Sequence, residues 1–270
     1  MVELIQISDL HYGSHEFNEE YLLNVIDYIN DNTPDAVICT GDLTHKAKKY
    51  QYEEIYKYLA QIKVPLLNVL GNHDAKNNGT VFFERYIGPR RWKKTLEQKD
   101  TILIGVRSPR DNTSEGELGD EQLEWMVNHL KNCDNRLRVL ALHHHLVAVP
   151  YAGAKRNTLI DAGEVLELTQ AYHIDLVLMG HRHVPHVWRF GNTILLYCGT
   201  SSSDKVRADE SPCFNHIYLY EDELEVDIVD SRTLKKNLLI SQKRGETDYV
   251  KPRKTRIDHI LQTKVFQNSF

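Results

Sequence analysis

Five short apolar runs constrain this chain more than any other feature of it. Ile5-Gln6-Ile7-Ser8 leads into Asp9-Leu10-His11, and Ala36 to Thr40 leads into Gly41-Asp42. Leu66 to Leu70 leads into Gly71-Asn72-His73-Asp74, Leu137 to Leu142 into His143-His144-His145, and Leu176 to Met179 into Gly180-His181-Arg182-His183. A buried run of this length followed by glycine or a polar turn reads as a parallel strand ending in a loop. Such loops lie at the carboxyl edge of an α/β sheet, where ligands bind. One Asp or His after a strand is an ordinary turn or a structural residue. Five strands delivering Asp, His, Asn and His to one edge predict a metal site assembled from strand ends, with Asp42 at its centre.

The segments between the runs set the fold class. Leu22, Val25, Ile26 and Ile29 recur at helical spacing in a segment ended by Pro34, and Tyr52, Ile55, Tyr56 and Leu59 make a second amphipathic helix. This β-α-β-α-β order predicts a parallel sheet with right-handed crossovers. Residues 75–100 read as a polar, irregular excursion pinned by Phe82, Phe83, Tyr86 and Trp92. A strand at Thr101–Val106 follows, then a helix carrying Leu123, Met126, Val127 and Leu130. Asp161 and Glu164 read as a capping box for a helix with Val165, Leu168 and Tyr172. Beyond Gly180 come strands joined by turns alone: Val184–Phe190, Thr193–Tyr197, Phe214–Tyr220 and Glu223–Val229. Two packed sheets with helices outside fit that order.

At 270 residues the chain is long enough for one α/β domain or two. A net charge of -5 argues against a protein built as a whole to bind nucleic acid. Arg232 to Arg256, however, holds nine Lys/Arg against two Asp/Glu. The four cysteines, Cys39, Cys133, Cys198 and Cys213, show no CxxC spacing, and Cys39 and Cys198 read as buried thiols. Met1-Val2-Glu3-Leu4 enters a strand directly, and no run is long enough to span a membrane, so a cytoplasmic protein without membrane contact is expected.

Two carboxylates, several imidazoles and an amide oxygen, without thiolate, suit Mn, Fe, Co, Ni or Zn rather than a Cys-type structural zinc. Seven such groups exceed the needs of one ion and suit two ions about 3.5–4 Å apart. Two dications that close repel, so a carboxylate and a hydroxide are expected to bridge them. The expected product is a nucleophilic hydroxide at neutral pH and a paired Lewis acid for a phosphoryl oxygen.

Asp9-x-His11, Gly41-Asp42, Gly71-Asn72-His73-Asp74, His143 and Gly180-His181-x-His183 together resemble the signature of the calcineurin-like metallophosphoesterases, in order and spacing, over about residues 1–230. The resemblance implies an α/β, four-layer αββα sandwich: two mixed β-sheets packed together, flanked by helices, with a two-metal site. It implies that Asp9, His11, Asp42 and His183 hold one ion and that Asp42, Asn72, His143 and His181 hold the other, Asp42 bridging. The ions are expected to be Mn or Fe, with Zn, Co or Ni as alternatives. His73 would lie near the substrate without binding metal and act with Asp42 in catalysis. His143 is taken from the triple His by its position after the strand. Asn72, His73 and His144 are assigned to substrate, with His144 and His145 left between a phosphate contact and a structural role.

Gly116 to Trp125 and the triple His are similar to the branch holding class III cyclic-nucleotide phosphodiesterases and glycerophosphodiesterases. That branch carries proline soon after its histidines, whereas here Leu146-Val147 follow and proline waits until Pro150. The expected activity is hydrolysis of cyclic nucleotides or similar small phosphodiesters. A nuclease is the alternative, because Asp9-Leu10-His11-Tyr12-Gly13 also resembles the start of the double-strand-break repair nucleases; a phosphomonoesterase is another. A non-catalytic binding protein with this fold is opposed by the complete ligand set. Arg107 and Arg110 either contact phosphate or lie in a solvated loop, and Gly199–Ser203 either nears the site or is a flexible turn. Residues 231–270 read as a basic extension outside a 1–230 domain. That extension is open to nucleic acid, and Ile257, Ile260, Leu261, Val265 and Phe266 are apolar enough to dock it or to form a homodimer.

Overall fold

The computed structural model describes residues 1–131, 136–153, 158–243 and 249–250. Strands β1 (Val2–Ile7), β2 (Ala36–Cys39) and β3 (Leu66–Asn68) run parallel, joined by helices α1 (Glu19–Asn32) and α2 (Lys49–Leu59). Helix α1 starts where Asn18 Oδ1 accepts from the Glu20 and Tyr21 amides and stops where Thr33 turns left-handed. The period of two sorts the strand residues between two cores. Val2 and Leu4 of β1, like Ala36 and Ile38 of β2, face the opposite sheet, whereas Ile5, Ile7, Val37 and Cys39 face α1 and α2.

The second sheet contains β4 (Trp92–Leu96), β5 (Thr101–Gly105), β6 (Leu137–Ala141), β7 (Leu176–Met179), β8 (His186–Phe190) and β9 (Thr193–Tyr197), in the order β4-β5-β6-β7-β9-β8. Strands β5, β6, β7 and β9 are parallel; β4 and β8 are antiparallel edges. Helices α4 (Asp120–Leu130) and α5 (Ala162–Ala171) cover its outer face through Met126, Leu130, Val165 and Leu168. Strand β10 (Cys213–Leu219) returns antiparallel to β1, followed by β11 (Glu223–Asp230), β12 (Lys236–Lys243) and β13 (Tyr249–Val250) in the first sheet. The result is the expected four-layer αββα sandwich. The parallel strands of each sheet end at the same edge, and that edge carries the motifs. Among the described residues no helix is long and apolar enough to cross a membrane.

Three local expectations fail for identifiable reasons. Residues 75–100 are not irregular: they hold α3 (Gly79–Tyr86) and β4. Helix α3 begins at Asn78 in a left-handed conformation without a side-chain cap, so it has no start signal, and β4 is an edge strand with Lys93 and Lys94 exposed. Phe83 and Trp92 are buried as expected. The capping box is absent, because the Asp161 carboxylate accepts instead from the Leu118 and Gly119 amides at 2.8–3.1 Å. The sheet also continues past Asp230. Strand β12 pairs with β11 and buries Leu239 and Ile240, although its first half, Lys236 to Leu238, is exposed and hides the alternation. Cys133 and Ile257 to Phe266 lie outside the described residues.

A chain ended after Arg232 should therefore lose several kcal/mol, since burying Leu239 and Ile240 contributes roughly 1.5–3 kcal/mol each and β11 becomes an open edge. A chain ended after Val250 keeps β12 and should unfold at a higher denaturant concentration than the one ended after Arg232. Denaturant melts of both truncations test this, and equal midpoints would contradict the role given to β12.

Candidate metal centre

The site is built from backbone that most residues avoid. Asp9, His11, Asp42, His181 and His183 have φ of 52°, 53°, 55°, 79° and 56°. Left-handed backbone costs a non-glycine residue free energy and persists only where the surroundings over-determine it. Here they do. The Asp9 and His11 amides donate to the Gly41 and Asp42 carbonyls, and Gly180 N donates to His143 O. Thr200 Oγ1 donates to Asp9 O at 2.7 Å, Ser201 Oγ accepts from Ser8 N, and Ser202 Oγ donates to Leu10 O. The Gly199–Ser203 segment is thus a buried clamp on the Asp9 turn, not a flexible turn. Beneath it, Gln6 Nε2 donates to Met179 O of β7 at 3.0 Å, and Gln6 Oε1 accepts from Asn215 Nδ2, tying the two sheets under the site.

Two glycines let the loops approach. A Cβ on Gly71 would sit 2.0 Å from Asp42 N, and one on Gly180 would sit 2.0 Å from Ser8 Oγ. Gly71→Ala must push the Asp42 turn away, at a cost of about 1–3 kcal/mol, and should lower metal occupancy. Wild-type melting temperature and metal content in that variant would show that the close approach is dispensable.

Two groups of ligand atoms converge. In the first, Nε2 of His11 and Nε2 of His183 are 2.9 Å apart, and Asp9 Oδ1 lies 3.3 Å from His183 Nε2 and 3.7 Å from His11 Nε2. In the second, Asn72 Oδ1 lies 3.1 Å from His143 Nε2 and 3.0 Å from His181 Nδ1, and those two nitrogens are 3.2 Å apart. Asp42 Oδ2 is 3.8 Å from His11 Nε2 and 3.5 Å from His143 Nε2, between the groups.

Hydrogen bonds alone do not satisfy this geometry. His143 Nδ1 lies 2.7 Å from Thr40 O, and His183 Nδ1 faces Lys205 O, so each ring, when it holds a single proton, carries it there and turns a lone pair inward. Those lone pairs meet the carboxylates, the Asn72 carbonyl and other imidazoles, while Asp9 Oδ1, fully buried, has no donor. Acceptors converging on acceptors call for cations, so the residues fit two metal ions. Backbone carbonyls orient His143 and His183 from behind, as metal-ligating imidazoles require.

Electrostatics agree. Burial pushes the Asp42 carboxyl up, but His143 and His73 outweigh it and hold it well below the carboxylate range. Asp9 is likewise lowered against burial, chiefly by His183. Burial drives His11 and His181 well below the usual imidazole range, which keeps them unprotonated as ligands must be. His143 is the exception in the metal-free protein: burial lowers it, but Asp42 overrides that and raises it to about 9.

The surrounding residues divide by role. His73 is half-buried; its amide donates to Asp42 Oδ1 at 2.7 Å, and its Nδ1 lies 2.7 Å from His45 O. His144 does not reach substrate space. It is fully buried, its Nδ1 and Nε2 meet Ser108 Oγ and Ser114 O, and its ring lies 4.5 Å from that of His181. Held between Ser108 and Ser114, it braces His181. His145 is fully buried too, with Nε2 2.8 Å from Gly180 O. Arg107 pairs with Asp111, and Arg110 faces Glu115 and Glu117, a loop network rather than phosphate ligands. Two further residues brace these loops: Ser108, which has no sequence signal beyond its type, and Asp74, which closes the Gly71-Asn72-His73-Asp74 run. Ser108 Oγ accepts from the His143 and His144 amides, and the buried Asp74 carboxylate accepts from Leu43, Thr44 and Gly71 amides and from Thr44 Oγ1. Burial and the Asp42 charge push Asp74 up to about 7, against those four donors.

The model of the calcineurin-like phosphoesterases matches residues 3–185. The chain belongs to that family. It is 25% identical to a 3′,5′-cyclic-nucleotide phosphodiesterase of Nostoc sp., over 82% of this chain and 89% of that one. It is 26% identical to the 3′,5′-cyclic adenosine monophosphate phosphodiesterase CpdA of Escherichia coli K12, covering 67% and 70%. A protein of Arcobacter nitrofigilis named probable glycerophosphodiester phosphodiesterase GpdQ is 28% identical, covering 76% and 80%. Among solved structures, a dimetal phosphatase from Danio rerio superposes with a TM-score of 0.71 at 11% identity, covering 88% of this chain and 98% of that one. The family member is thus a metal-dependent phosphoesterase with the expected fold, and its ligand clusters fit a two-metal centre.

Proposed function

We propose that this phosphoesterase cleaves phosphodiesters, with cyclic nucleotides and similar small diesters ahead of polymers. The observation that carries the reading is Asp42 Oδ2 set between two groups of ligand atoms. Asp9, His11, Asp42 and His183 would hold one ion and Asp42, Asn72, His143 and His181 the other; Mn or Fe suits this donor set. Bound there, the ions supply an activated water and a Lewis acid for the phosphoryl group. The chain's own residues do the rest. The buried carboxylates stay ionised to hold the centre together. His73, held through Nδ1 at His45 O, presents Nε2 to the departing oxygen and gives it a proton when both ring nitrogens are protonated, leaving the neutral ring with its proton on Nδ1. The named activities of the Nostoc, E. coli and Arcobacter relatives support a small diester. The nuclease reading rests on the Asp9-Leu10-His11-Tyr12-Gly13 start, and the basic Arg232–Arg256 segment suits it. Cys39 and Cys198 are buried thiols, which suits a reducing compartment such as the cytoplasm.

The test is turnover of Mn-loaded protein on a cyclic mononucleotide, a glycerophosphodiester and single-stranded DNA, with and without chelator. Chelator-sensitive hydrolysis of the small diesters above that of DNA is expected. Faster cleavage of DNA would favour the nuclease, and no turnover of any diester would defeat the proposal.

A further inference from the structure

The loops that carry the metal ligands also bring three lysines together. Lys46 follows Asp42, Lys76 follows His73, and Lys205 follows the Gly199–Ser203 clamp. A backbone or side-chain contact of its own loop places each. Lys46 O accepts from Asn77 Nδ2 at 3.2 Å, which joins the first two loops next to Lys76. Lys205 O accepts from His183 Nδ1, which fixes the third against the metal centre. Lys76 is only partly exposed, and its Nζ lies 3.1 Å from His73 Nδ1. His45 stands among them, its ring centroid 5.3 Å from that of His73 and 6.1 Å from that of His11. Lys205 feels the Glu16 carboxylate, but Glu16 is engaged by Ser14 and His15. Among the described residues none of the three lysines forms an ion pair.

Nitrogens of His11, His45 and His73 lie within 4.8 Å of one another, which by itself would suit a further cation. The Lys76 ammonium lies against His73, and the Lys46 and Lys205 charges act on both His45 and Lys76; such charges repel a cation and attract an anion at the same place, which argues for an anion instead. The metal centre already meets the single charge of a simple diester. We propose that Lys46, Lys76 and Lys205, with His45, form a second anion subsite that holds a phosphate of the substrate other than the one cleaved. The substrate class this selects is a diester whose nucleoside carries an additional phosphate, in preference to a plain cyclic mononucleotide or a glycerophosphodiester. It rests on the phosphodiesterase reading for the cleaved group. Burial leads in lowering the Lys76 ammonium; Asp42 and Asp74 oppose that, while Lys205 and Lys46 add to it, and burial followed by His73, Lys76, Lys205 and Lys46 lowers His45. The lysine contributions to both are those of neighbouring cations.

Binding tests this without turnover. Calorimetric titration of the Mn-loaded protein compares adenosine 5′-monophosphate with adenosine 3′,5′-bisphosphate at low salt. The bisphosphate should bind about tenfold more tightly or better, as charge-assisted contacts imply, and the gap should shrink with added salt. It should collapse in the Lys46→Met/Lys76→Met/Lys205→Met protein and persist in the corresponding triple Arg protein. Should the triple Met protein fail to fold, Lys46→Met and Lys205→Met singly, both at exposed positions, should each narrow the gap. A like gain from the neighbouring phosphate of a thymidylate dinucleotide would assign the subsite to the next phosphate of a strand. Equal affinity for the two adenosine ligands in wild type, or a gap that survives removal of the lysines, would overturn the subsite. Failure of every diester to turn over would defeat the phosphodiesterase reading while leaving this affinity gap to decide the subsite.

Discussion

Asp42→Ala should bind fewer than two metal equivalents and lose at least roughly a thousandfold in turnover, because several kcal/mol of charge stabilisation depend on the paired ions. The reason is geometric. Asp42 Oδ2 lies near His11 of one ligand group and His143 of the other, 3.8 and 3.5 Å away. A methyl group leaves two dications facing each other with nothing negative between them. The loss should also release His73, whose amide donates to Asp42 Oδ1. Elemental analysis of the folded variant is the check, and two retained equivalents with near-normal turnover would show that Asp42 does not bridge.

His73→Ala should separate substrates by leaving group. A ribose alkoxide departs poorly without a proton, while a nitrophenolate hardly needs one. Removing a general acid should slow a natural diester ~10²–10⁴-fold and slow bis(p-nitrophenyl) phosphate much less. The structure supports the assignment through orientation: Nδ1 lies 2.7 Å from His45 O and 3.1 Å from Lys76 Nζ, leaving Nε2 for substrate. If His73 instead held the phosphate or braced the Asn72 loop, both substrates would suffer alike or metal would be lost. Kinetics on both substrates with one metal-replete variant decide between these roles.

Much of this was legible in the sequence, and the failures share a cause. Strands followed by Gly-Asp, Gly-Asn-His-Asp and Gly-His-x-His announce themselves, because apolar periodicity and turn chemistry are local. The convergence of Asp9, Asp42 and His143 on one edge followed from the parallel order of their strands. What the sequence hid was decided by partners far along the chain. His144 looked free to meet phosphate, yet Ser108 and Ser114 on a distant loop hold it. Thr200 and Ser201 look like any polar turn until they clamp the turn at Asp9 and Ser8, nearly two hundred residues earlier. Strand β12 was missed because its exposed first half breaks the alternation.

Anomalous diffraction from crystals grown with Mn tests the central claim most directly. Two peaks are expected about 3.5–4 Å apart, one bounded by Asp9, His11 and His183, the other by Asn72, His143 and His181, with Asp42 touching both. A single peak, or two peaks of which Asp42 meets only one, would contradict it.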